Sequence, residues 1–207
     1  MSPRTKKQLS QIREDKQESI KTTALKLFAG KGYHATSISQ IAEEAAISKG
    51  LIYHYYKSKE ALLVSLFTDL ISLIYSLINP NNDHEITNEE MDAFFDKLIQ
   101  SMDENKDYWI LYYQLSMQPE VLKLMMNQIE HDALALDYTK LLHQYFDKRF
   151  DDPETEFVLF TSLFKGFCTI YVLNPASVPK EVVPKFLNRM RSMFLHEKKN
   201  QNIHSKS

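Results

Sequence analysis

Ser37, Ser48 and Ser58 each stand where a helix can begin. Serine suits that position because its hydroxyl accepts a backbone N–H that the first helical turn leaves unpaired. In Ser37-Ile-Ser-Gln40 the glutamine can return a bond to the serine N–H, which makes a capping box. The helix opened there has about two turns before the connector Ala46-Ile47. The next, opened at Ser48, ends near Tyr56. Helices this short hold only when packed on longer partners. One such partner precedes them: Ile20, Ala24, Leu27 and Phe28 share a helical face, with Asp15-Lys-Gln-Glu18 as its capping box and Gly30 and Gly32 as its stop. Another follows from Ser58 through Leu62, Leu63, Leu66 and Leu70. Two short helices joined by a tight turn and packed on a longer one outline a helix-turn-helix over about 37–56.

The rest of the chain is also helical in pattern. Four glycines and seven prolines among 207 residues leave little material for a turn-rich β architecture, so the chain is expected to be all-α. Beyond the first three helices, apolar periodic segments run over 58–78, 88–103, 107–117, 120–150, 153–173 and 179–196, about nine helices in all. The expected organisation is a helix-turn-helix head over 1–60 and a helical bundle over 61–207. Ala61–Ile78 is as long as a membrane span, but Ser65, Thr68, Asp69, Ser72 and Ser76 give it a polar strip, and no membrane partner is expected. A single cysteine, Cys168, and the absence of a cleavable signal after Met1 point to a reducing cytoplasm.

Charge is divided unevenly. Residues 1–60 carry a net +5 and residues 61–207 a net −7, so the front of the chain suits a polyanion. Arg4, Lys6, Lys7 and Arg13 form a basic arm ahead of the first helix. Residues 61–207 hold no dinucleotide glycine motif, no P-loop, no His-Glu-x-x-His and no nucleophile elbow, so no enzyme is expected. Residues 79–90 imitate a calcium loop, but the first ligand position is Asn79 and the sixth is His84, not glycine. Thr87-Asn-Glu-Glu90 reads instead as a capping box, and neither a metal nor a cofactor is expected.

An ordered set of residues carries a family likeness: Ala24, Leu27, Phe28 and Gly32; Thr36-Ser37-Ile38 and Ile41-Ala42; Ile47 through Tyr56; and Ser58-Lys-Glu-Ala-Leu62. On these, the first third of the chain resembles the TetR family of bacterial transcriptional regulators. It departs from the family pattern at Ala46, where glycine is usual. A left-handed residue there costs alanine on the order of 1 kcal/mol.

A recognition helix presents its N-terminal turn to base edges, here Ser48, Lys49, Gly50 and Leu51. Lys49 can donate to guanine, Gly50 allows close backbone approach, and Leu51 offers apolar contact. The resemblance implies that Tyr53 and Lys59 hold the DNA backbone. Thr36 and Ser37 are expected to add hydroxyl and N–H contacts, and His54, beside Tyr53 on the exposed side, a further one. Ile52 and Tyr56 are expected to face the core. The resemblance further implies a double-stranded DNA operator, a homodimer formed by the last two long helices, and a small effector. For the dimer interface the candidates are Phe157, Phe160, Phe186, Met190, Met193 and Phe194. For a small apolar or amphipathic effector they are Trp109, Tyr112, Tyr113, Met117, Phe164 and Phe167. The competing reading is a helical sensor or carrier whose basic head docks a protein or an anionic surface.

Overall fold

A computed structural model describes residues 5–129 and 131–195. Among these the chain forms ten α-helices: α1 Lys6–Lys31, α2 Ile38–Glu44, α3 Lys49–Tyr55, α4 Lys59–Ile78, α5 Asn88–Glu104, α6 Lys106–Ser116, α7 Pro119–Ile129, α8 Ala133–Asp147, α9 Pro153–Leu173 and α10 Val182–Phe194. The all-α expectation holds. The tenth helix arises because the segment expected over 120–150 is two helices, with Asp132, an N-cap residue type, directly ahead of α8.

α1 begins earlier than its apolar face does. The cap is Thr5, whose hydroxyl accepts the Gln8 N–H while the Gln8 side chain accepts the Thr5 N–H; Asp15 and Glu18 lie inside the helix. Its first turns are tied by side chains one turn apart, Ser10 to Glu14 at 2.9 Å and Gln11 to Asp15 at 3.0 Å. Lys7 and Arg13 are therefore exposed helix residues and not parts of a free arm, while Arg4 lies outside the described residues.

Contacts group the chain into two units, one of residues up to Ser72 with Asp107–Asp132, the other of Leu73–Lys106 with Ala133 onward. This division differs from a cut at residue 60. The first unit's core joins Ile20, Ala24 and Phe28 of α1, Ile41 of α2, Ile52 of α3 and Leu62 of α4, each 0% exposed, to Leu115 and Val121, also 0% exposed. α4 and α9 are both long and apolar enough to cross a membrane. In α4, however, Leu62, Leu63, Leu66 and Phe67 are buried in this core, and Asp69 pairs with Lys21 of α1 at 2.6 Å. It is a core helix.

The second unit is built on aromatic packing. Phe164 of α9 meets Phe94 and Phe95 of α5 at 5.7 and 5.2 Å, and Phe160 meets Phe146 of α8 and Phe194 of α10 at 5.4 and 5.3 Å. Arg191 of α10 bridges Asp92 and Asp96 of α5. Thr87 and Glu90 close the capping box that opens α5.

Candidate nucleic-acid interface

Local capping sets the helix-turn-helix. Ser37 Oγ accepts the Gln40 N–H at 3.2 Å and Gln40 Oε1 accepts the Ser37 N–H at 2.7 Å, so α2 starts at Ile38. Ser48 Oγ accepts the Leu51 N–H at 3.2 Å and starts α3 at Lys49. Between the helices Ala46 takes φ 51, and the Ile47 N–H returns to the Ala42 carbonyl at 3.0 Å. The left-handed turn that favours glycine is thus made by alanine.

α3 divides by face. Ile52 is fully buried and Tyr56 is buried as its C-cap residue, whereas Tyr53 is 47% exposed and His54 is exposed beside it. Tyr55 is half-buried, its ring edge-on to His54 at 5.2 Å and under the Arg13 guanidinium at 5.7 Å. The Lys49 ammonium lies 5.9 Å from the Tyr53 ring centroid.

The outward side of Tyr53 faces an open cleft of about 430 Å³, lined by His34, Ser37, Ser39, Lys49, Lys57, Ser58 and Lys59 with Thr36 and Ile38 behind. Three ammonium groups, a histidine and several hydroxyls line it, and none of its lining residues is a carboxylate. Such a surface suits a phosphate backbone. His34, Ser39 and Lys57 are not among the residues expected from sequence. Only the fold brings the loop before α2 alongside the start of α4.

Two expected phosphate groups have other partners. Thr36 is 1% exposed, and its hydroxyl donates to the Gly32 carbonyl at 2.9 Å, so it shapes the cleft from beneath. Lys59 Nζ donates to the Tyr33 and Thr36 carbonyls at 2.8 and 2.9 Å and sits 4.3 Å from the Tyr33 ring centroid. Desolvation lowers its pKa from the ordinary lysine value. An ammonium has three N–H donors, so one remains for the cleft.

The six expected effector residues belong to different units. In the first, Trp109 is buried edge-on against Tyr108 and Tyr112, each at 6.1 Å, and Tyr112 packs edge-on against Phe67 of α4 at 5.4 Å. Tyr113 is buried and Met117 is 56% exposed. In the second, Phe164 is core and Phe167 stacks on Phe186 at 3.8 Å. Of the expected dimer residues, Phe160, Met190 and Phe194 are buried in the second unit's own core, Phe157 packs on His143 at 4.3 Å, and Met193 is half-buried. The apolar residues that α9 leaves exposed are Val158, Leu159, Leu163 and Ile170.

Two short capped helices with a left-handed turn between them make a helix-turn-helix, and a cation-lined cleft lies beside its second helix. Residues 20–66 match the profile of the tetR family of bacterial regulatory proteins. It is 29% identical over 195 residues to the uncharacterized HTH-type transcriptional regulator YuxN of Bacillus subtilis, covering 87% of this chain and 63% of that protein. It is 28% identical over 134 residues to IcaR of Staphylococcus epidermidis, the HTH-type negative transcriptional regulator of the biofilm operon icaADBC, covering 65% of this chain and 69% of IcaR. The fold matches the crystal structure of FadR from Bacillus subtilis in complex with stearoyl-CoA, with a TM-score of 0.65, 19% identity, and coverage of 90% of this chain and 99% of that one. This chain thus spans less than two thirds of YuxN's length.

Proposed function

We propose that the chain is a cytoplasmic transcriptional repressor that binds a palindromic DNA operator as a homodimer and is released by a small apolar or amphipathic effector. The observation that carries the DNA-binding part is the cleft beside α3, lined by Lys49, Lys57 and Lys59 without a carboxylate. In this reading α3 lies in the major groove with Lys49 and Leu51 at its reading end. Tyr53, Ser37, Lys57 and the free N–H of Lys59 take phosphates, and His34 and His54 add contacts at the edges. Repression is supported by the likeness to IcaR, named a negative regulator.

The exposed apolar residues Val158, Leu159, Leu163 and Ile170 support dimerisation through α9. A two-fold dimer places two recognition helices about 34–36 Å apart for adjacent major grooves. The stearoyl-CoA bound by FadR supports an acylated, amphipathic effector class. A small apolar space between α4 and α7, lined by Leu63, Phe67, Ile71, Leu124 and Met125, is a place where such a chain can enter by parting the two helices. Since α4 begins at the cleft, its displacement changes the spacing of the recognition helices. An effector shifts that equilibrium only by its differential affinity for the two states.

Selection of genomic fragments by the purified chain tests this reading. It should return inverted repeats, and Lys49→Ala should change the preferred base at one position in each half-site. Fragments without two-fold symmetry would contradict the dimeric operator. Stearoyl-CoA should raise the melting temperature and release the fragment; stabilisation without release would contradict its role as an inducer.

A further inference from the structure

The loop from Gly32 to Ser37 brings His34, Thr36 and Ser37 to the phosphate cleft, yet the groups that hold this loop lie outside the helix-turn-helix. Gln118, at the turn between α6 and α7, accepts the Tyr33 N–H on Oε1 at 2.8 Å and donates from Nε2 to the Phe28 carbonyl at 2.8 Å. A helix ends with carbonyls that lack intrahelical partners. α1 closes at Gly32, φ 93, whose N–H reaches the same Phe28 carbonyl at 3.1 Å. A side chain distant in sequence therefore completes this helix end.

Gln118 is itself anchored. Its N–H donates to the Leu115 carbonyl at 3.1 Å and its carbonyl accepts the Leu122 N–H at 2.9 Å. Leu115 before it and Val121 after it are both 0% exposed in the first unit's core. On the opposite side of the loop, Lys59 holds the Tyr33 carbonyl at 2.8 Å. One residue, Tyr33, is thus gripped through its N–H by the α6–α7 turn and through its carbonyl by the start of α4.

We infer that Gln118 is a positioning residue of the phosphate cleft: it fixes the Gly32–Ser37 loop and makes DNA affinity depend on the placement of the α6–α7 turn. The inference rests on the DNA-binding reading above. Without the amide, Tyr33 N–H loses its acceptor and the loop spreads over several conformations. Affinity then falls in proportion to the fraction that remains competent.

The test uses full-length wild type, Gln118→Met, which conserves length and removes both bonds, and Gln118→Glu, which keeps only the acceptor for Tyr33. Affinity for a duplex selected by the wild type is measured well below each variant's melting temperature, beside hydrogen exchange at the Tyr33 amide. Gln118→Met should bind about tenfold more weakly on every operator variant, with Tyr33 exchanging about tenfold faster, the loss expected for one net hydrogen bond. In Gln118→Glu, which keeps the Tyr33 acceptor but sets a second oxygen against the Phe28 carbonyl, affinity should also fall while Tyr33 exchange stays nearer wild type than in Gln118→Met, and this variant carries the test alone if Gln118→Met does not fold. Wild-type affinity in both variants, with only the melting temperature lowered, would assign Gln118 a structural role and overturn the inference while leaving DNA binding intact. Failure of the wild type to bind duplex at low salt would overturn both.

Discussion

Ala46 holds φ 51 in the turn between α2 and α3, a conformation that costs an L-residue roughly 1–2 kcal/mol. Glycine removes that strain but loses about 0.5–1 kcal/mol in backbone entropy, so Ala46→Gly is expected to stabilise the chain by about 0.5–1 kcal/mol. Urea unfolding measures it, and a lowered midpoint would refute the turn geometry. Cys168 is 2% exposed, and burial pushes its thiol up to about 12. Because the thiolate is the reactive form, native protein at pH 8 should resist iodoacetamide and react only once unfolded. Rapid labelling of the native chain would place Cys168 outside the core. Tyr53, by contrast, is exposed, so Tyr53→Phe should leave stability within about 0.5 kcal/mol and weaken every operator alike. At this scale the caps Ser37, Ser48 and Thr87 were legible, since each acts within three residues. The occupations of Thr36 and Lys59 were not, because the partners of Lys59 lie more than twenty residues away and the Thr36 hydroxyl turns back into the end of α1.

Among the helices, apolar periodicity found what has an apolar face and missed what lacks one. The first turns of α1 carry only two apolar residues, Leu9 and Ile12, both exposed, and are tied by Ser10–Glu14 and Gln11–Asp15 bonds, so no continuous apolar face marked them. The break between α7 and α8 contains neither glycine nor proline, the usual punctuation. α9 shows the opposite difficulty: it has apolar residues on more than one face, so its sequence does not say which of them are core. Its buried side carries Phe160, Phe164, Cys168 and Val172, and its exposed side Val158, Leu159, Leu163 and Ile170. Replacing Leu159 and Leu163 together by glutamate should therefore yield a folded monomer in sedimentation, with far-UV circular dichroism unchanged. A persisting dimer would move the interface to another face.

For the whole molecule, the grouping of Asp107–Asp132 with the head had no sequence signature, because it rests on long-range contacts such as those of Leu115, Gln118 and Val121. The basic front was visible in composition, but the cleft that gives it shape depends on the loop before α2 meeting the start of α4. Whether that cleft holds the DNA backbone is decided by the salt dependence of duplex binding. Lys57 and Lys59, the two cleft ammonium groups assigned to phosphates, doubled in a dimer, predict a slope of log affinity against log salt of about −4. Lys57→Ala, which removes one per protomer, should reduce its magnitude by about 2. A slope near zero, or an unchanged slope in Lys57→Ala, would contradict the assignment of this cleft to the DNA backbone.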